Sequence, residues 1–140
     1  MSTVPTFIHL RMHSEYSVSD GIVRIDGAVE KAVADNMPAL ALTDLSNLFG
    51  MVKFYERTRS RGVKPIIGCE EYVAPGDIDD EDAHTKKVKG GGGYHLVLLA
   101  KNQLGYKNLI KLVSTGYEFR PTSLENGIRL YVDWYLKNNG

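Results

Sequence analysis

The chain has 140 residues, with 17 Lys and Arg balanced by 17 Asp and Glu, which suits one domain with a real core and leaves no room for a second full one. The balance excludes a global pull onto nucleic acid or a membrane surface, so any such contact must be local. A single cysteine, Cys69, excludes an internal disulfide framework, and with no basic-then-apolar leader and no spanning run of roughly 18 apolar residues the expectation is a soluble cytoplasmic protein.

Residues 6–10 are short, partly β-branched and aromatic, and read as a first strand running into a polar loop that turns at Asp20-Gly21. Asp26 is placed to cap a helix whose apolar face is Ala28, Val29, Ala32 and Val33, through about Asn36. Residues 39–43 read as a buried strand and 44–47 as a loop. A helix through Val52, Phe54, Tyr55 and Arg59 then stops at Gly62. Residues 64–73 form a third strand. Between 75 and 93 the composition changes to acids from Asp77 to Asp82, then Lys86, Lys87 and Lys89, then four glycines, which predicts a solvated, flexible loop. Residues 94–100 restore a fourth buried strand, and 105–114 carry Leu109, Ile110, Leu112 and Val113 at helical spacing. The alternation predicts an α/β fold with four parallel strands in sequence order, and chemistry gathered at the strands' C-terminal ends.

Metal ligands are His, Asp and Glu because imidazole and carboxylate offer lone pairs, and several must converge on one point. Candidates fall at the strand ends: His9 and His13 after the first strand, Asp20 in its loop, Asp44 after the second, Glu70 and Glu71 in the third and His95 in the fourth. Each has a bland alternative, a satisfied core histidine or a helix-capping aspartate, and only their convergence argues for a site.

The residues then show a resemblance. Residues 7–17, reading FIHLRMHSEYS and followed by Asp20-Gly21, resemble the opening motif of the polymerase-and-histidinol-phosphatase (PHP) domains of bacterial DNA polymerase III alpha subunits. The segments MPALALTD at 37–44, NLFG at 47–50, KPIIGCE at 64–70, YHLVLLAKN at 94–102 and GYKNL at 105–109 follow in family order. The resemblance implies a distorted, TIM-like α/β barrel. In metal-rich members it implies phosphoesterase activity, including removal of nucleotides from a DNA 3′ end. It places His13, Asp20, Glu70 and His95 at metal-ligand positions and Asp44 in the second motif, with zinc or manganese as the ion if one is bound.

Two departures point away from catalysis. Arg11 stands where the family has a histidine, and Leu45 where the second motif has another. A guanidinium cannot ligate a metal and leucine has no donor. The chain therefore resembles a degenerate branch with no catalytic residue of its own and no cofactor, in which Arg11 pairs with Glu70 or Asp44 in place of the metal. Its implied role is to stabilise the polymerase and hold the proofreading exonuclease subunit, meeting DNA indirectly. The alternative is a metal-dependent phosphoesterase using His13, Asp20, Asp44, Glu70 and His95. A nucleotide-sugar enzyme is disfavoured because no Gly-x-Gly-x-x-Gly follows the first strand.

The organisation expected is a partial PHP domain over 1–116, about four parallel strands with crossover helices, and an added amphipathic helical tail over 117–140. The tail resembles the C-terminal helix of nucleotide-sugar epimerases and dehydratases, so the junction is either a chimera or an unusual native helix. Ser123 would cap it, with Ile128, Val132, Tyr135 and Leu136 as its stripe. A half-barrel has an open inner face, so either self-association or docking of that helix, with Trp134 and Ile128 buried, is expected.

Overall fold

The computed structural model describes residues 7–73 and 94–118. The loop expected over 75–93 and the tail with Ser123, Ile128 and Trp134 lie outside them. Six elements follow in order: α1 (Ile25–Ala34), β1 (Ala39–Leu42), α2 (Met51–Ser60), β2 (Lys64–Val73), β3 (Tyr94–Leu99) and α3 (Gln103–Glu118). No helix among the described residues is long and apolar enough to cross a membrane.

Both αβ connections are set by the way the helices end. Asn36, at φ 55°, and Gly62, at φ 76°, adopt the left-handed conformation that stops a helix. At each end two backbone bonds close the last turn: Asn36 N–H to the Val33 carbonyl and Met37 N–H to Ala32, then Gly62 N–H to Arg59 and Val63 N–H to Thr58. The residue after each left-handed turn is apolar, and Val63 is buried, so the chain leaves each helix directly into the core and into the next strand.

The start of α1 differs from the expectation. Arg24 occupies the cap position and Asp26 lies inside the first turn, where its carboxylate meets Arg57 Nε at 2.7 Å on α2. An acid in a first turn is favoured by the helix dipole without capping it. The buried face is Ile25, Val29 and Ala32, rotated from the expected one so that Val33 stays exposed.

The four-parallel-strand expectation is corrected: the described residues form a three-stranded mixed sheet in the order β1-β2-β3. The first half of β2 pairs parallel with β1, from Ala39↔Lys64 to Leu42↔Ile67. Its second half pairs antiparallel with β3, from Gly68↔Leu99 to Val73↔Tyr94. A parallel partner needs a crossover connection, whereas an antiparallel one can return beside the strand's own end, as β3 does at Val73↔Tyr94. The expected first strand is also absent as a ladder: Ala41 N–H bonds to the His9 carbonyl and Thr43 N–H to Met12, a step of two on one side and three on the other. The segment runs along β1 in the same direction without regular pairing.

The helices share one face of the sheet. Ile25, Val29, Ala32, Leu40, Leu42, Phe54 and Val63 form one core cluster. Leu109 and Val113 of α3 form a second with Cys69 of β2, packed by Leu48 and Leu98. Side chains alternate across a strand, so Glu70, between Cys69 and Glu71, faces the opposite side. Gly68 lies where the strands pass closely: a Cβ there would stand 2.5 Å from the Leu98 carbonyl oxygen and 2.9 Å from Thr43 Cγ2.

Phe54 is fully buried at the centre of the first cluster. Phe54→Ala is therefore expected to cost about 3–5 kcal/mol, read by urea denaturation of the full-length protein.

Candidate functional site

On the face away from the helices, four hydrogen bonds converge on one carboxylate. Glu70 is 0 % exposed. It receives Arg11 Nε at 2.5 Å and Nη2 at 2.9 Å, lies 2.9 Å from His13 Nε2 and 2.6 Å from His95 Nδ1. Arg11 and His13 come from the chain running beside β1, Glu70 from β2 and His95 from β3, where it stands two residues from the Glu70 partner Val97. The register that opposes Val97 to Glu70 is what puts His95, two residues along β3, on the same face as Glu70.

The other nitrogen of His13 meets Asp20, with Nδ1 2.7 Å from Oδ2. Asp20 is held in turn by the Ser17 hydroxyl, which donates to Oδ1 at 2.6 Å and accepts Leu45 N–H at 3.0 Å. Asp44 lies beside the cluster, where one oxygen accepts Ser14 N–H at 2.6 Å and the other the Ser14 hydroxyl at 2.9 Å. Its own carbonyl accepts Glu70 N–H at 3.2 Å, and Ser46 N–H bonds to the Glu70 carbonyl at 2.8 Å. These bonds tie the loop after β1 to β2 by backbone as well as side chain.

The loop carrying His13 and Asp20 is closed tightly. Glu15 N–H bonds to the Val23 carbonyl, Ser17 N–H to Ser14 and Gly21 N–H to Ser17. A Cβ at Gly21 would fall 1.8 Å from the Ser14 carbonyl oxygen, so only glycine lets the chain pass there.

The charges follow from these contacts. The Arg11 guanidinium, helped by His95 and His13 and opposed by burial, holds the Glu70 carboxyl down at about 2. The same bond raises Arg11. The Ser17 hydroxyl, with His13, lowers Asp20, whereas burial raises Asp44 against the Ser14 bonds. Burial, and then Glu71, push the Cys69 thiol up to about 12.

Of the sequence candidates, the structure gathers His13, Asp20, Glu70 and His95, with Asp44 alongside. Arg11 pairs with Glu70 and not with Asp44. Two candidates fall elsewhere: His9 packs edge-on against Phe7 with ring centroids 4.7 Å apart, and Glu71 accepts the Ser46 hydroxyl at 3.0 Å and Cys69 Sγ at 3.3 Å on the helix side. Reading ligand types alone missed Ser14 and Ser17, whose hydroxyls orient Asp44 and Asp20. Their sequence signal is weak, two small hydroxyl residues in the first motif.

The donor set as arranged does not fit a divalent ion. Arg11 bonds to both Glu70 oxygens, Ser14 takes both Asp44 oxygens, and Leu45, which bridges Glu70 through the backbone, brings no donor. Among the described residues no three His, Cys, Asp or Glu groups are arranged to hold a metal.

A sheet with helices on one face and a histidine–carboxylate cluster on the other defines an α/β domain. An amidohydrolase from Chromobacterium violaceum superposes with TM-score 0.50 and 23% identity over 74% of this chain and 32% of that one. The PHP domain pattern matches residues 9–138, and the chain belongs to the PHP domain family. It is 44% identical over 135 residues to the DNA polymerase III subunit alpha of Borreliella burgdorferi, covering 94% of this chain and 12% of that protein. It is 47% identical over 113 residues to the Vibrio cholerae subunit and 43% over 114 residues to that of Escherichia coli K12, each alignment covering 81% of this chain and 9% of the relative. The chain thus spans about a tenth of the length of these curated relatives.

Two outcomes follow from this geometry. Arg11→Ala leaves a buried carboxylate short of its strongest donor, a loss of about 1–2 kcal/mol after allowing for the 62% exposure of the Arg11 side chain. In a Glu70→Gln background the same change is expected to cost much less, a coupling that a double-mutant cycle in urea measures directly. With its thiol at about 12, Cys69 is almost wholly protonated at neutral pH. Iodoacetamide labelling is expected to be slow in the native protein and rapid once it is unfolded.

Proposed function

We propose that this chain is a PHP domain of a DNA polymerase III alpha subunit. In this reading it acts as a structural and partner-binding element, holding the polymerase together and docking the proofreading exonuclease subunit. The observation that carries the proposal is the Arg11 guanidinium seated on both oxygens of the buried Glu70. A fixed cation there supplies the positive charge that a cluster of carboxylates requires, and it does so without an open coordination position for water or substrate.

The cluster itself supports a second reading, a metal-dependent phosphoesterase acting on DNA ends or phosphate esters. His13, Asp20, Glu70 and His95 do converge, and a zinc or manganese ion held among them would activate water and neutralise phosphate charge. For this to operate, Arg11 would have to leave Glu70.

Calorimetric titration of the full-length protein with zinc or manganese separates the two. The structural reading expects weak binding at most, no release of nucleotides from a DNA 3′ end, and a melting temperature that falls in Glu70→Ala together with retention of the exonuclease subunit. Tight metal binding that disappears in His13→Ala would establish the phosphoesterase instead.

A further inference from the structure

Most basic side chains of the first two helices and the loop before them are matched by acids across the α1–α2 face, Arg59 being the exception among the described residues. Arg24 and Lys53 reach Glu15 at 3.1 and 2.8 Å, Arg57 reaches Asp26 at 2.7 Å, Lys31 reaches Asp35 at 2.7 Å and Arg61 reaches Glu30 at 3.8 Å. The third helix is different. From residue 94 the first acid is Glu118, the last residue of α3, and before it the segment carries Lys101, Lys107 and Lys111, all exposed. None of the three has an ion-pair partner among the described residues.

Their placement is regular. Leu109 and Val113 turn inward to Cys69 and Leu98, and at about 100° per residue Lys107 and Lys111 project from the opposite side of α3. They are one turn apart, about 6 Å along the axis. Lys101 lies just ahead of the helix, whose start is fixed by Asn102 Oδ1 accepting Gly105 N–H at 2.9 Å. Lys107 and Lys111 thus form a short row on the outer face of α3, with Lys101 near the start of the helix. Among the described residues, these cations on and just before α3 have no acid paired to them.

We propose that this face of α3 is a contact surface for the phosphodiester backbone of DNA. The inference rests on the polymerase reading above and deepens it by naming the surface. A DNA strand carries a charge every ~3.4 Å, so the Lys107–Lys111 step spans about two phosphates. The residue types also favour phosphate over a protein partner. Protein interfaces are enriched in aromatic residues and arginine and depleted in lysine, and this row has neither an arginine nor an aromatic side chain. Lysine is a flexible point charge that binds a backbone without reading sequence.

The test uses the full-length protein and fluorescein-labelled single-stranded and duplex oligonucleotides, with anisotropy followed across a salt series. The combined variant Lys101→Gln, Lys107→Gln and Lys111→Gln is compared with Lys31→Gln plus Arg61→Gln, which removes charges from the α1–α2 face. The α3 variant is expected to bind about 5- to 30-fold more weakly at low salt, with a log–log salt slope shallower by about 2 on single strands and nearly 3 on duplex, as for three lost phosphate contacts. The control should keep the parent slope, and a Lys→Arg triple variant should regain affinity, which guards against a folding defect. Parent-like affinity and slope in the α3 variant, with primer extension intact, overturns this inference and leaves the polymerase reading standing. A parent protein that neither binds DNA nor extends primers overturns both. If the row instead holds an acidic polypeptide, the variant will lose thermal stability or a co-purifying subunit while keeping its DNA slope, and that result also overturns the proposal.

Discussion

A carboxylate shielded from water stays ionised only where donors replace the water it has lost, and Glu70 is such a carboxylate. Its replacements come from two places far apart in sequence, Arg11 and His13 before α1 and His95 on β3. Satisfying them fixes three things together. The chain before α1 must lie along β1, the loop after it must fold back through Asp20 to hold His13, and β3 must pair with the second half of β2 in the register that opposes Val97 to Glu70. Among the described residues no buried side-chain nitrogen or oxygen lacks a partner, so the cluster is complete as a structural unit.

The sheet separates this polar chemistry from the core. Apolar side chains of β1 and β2 meet the helices on one face, while the carboxylates and imidazoles gather on the other. The helix ends serve the same division, because each left-handed turn at Asn36 or Gly62 aims the following apolar residue inward and delivers the chain into a strand. Cys69 and Glu70 show how sharp the boundary is. They are adjacent in β2, yet one packs against Leu109 and Val113 and the other receives a guanidinium.

In the proposed reading, substituting an arginine for a metal changes what the cluster can do. A divalent ion would join the donors and leave a position open for chemistry, whereas a guanidinium has its donors committed and no vacant site. The same positive charge then serves cohesion alone. Its bonds link the segment before α1 to β2 without depending on the supply of an ion, a property that suits the structural role proposed for the domain.

Much of the framework was legible in the sequence because its signals are local. Apolar spacing placed α2 and α3, the strand expected at 64–73 matched β2 residue for residue, and Gly62 marked the end of α2 as a left-handed position must. The motif residues of the candidate site were also visible, since ligand chemistry depends on residue type. The tertiary structure alone decided the rest. Strand direction depends on which edge a returning strand meets, and no periodicity within β3 encodes that. Residues 7–13 have strand composition but meet β1 in unequal steps, so they form no ladder. Asp26 looks like a cap until Arg57 is brought beside it. Arg11 had two carboxylates open to it by sequence, Glu70 and Asp44, and the choice fell to Glu70 because the Ser14 amide and hydroxyl already satisfy Asp44. A residue's type sets which partners it can accept, and only the folded chain sets which of them lies within about 3 Å.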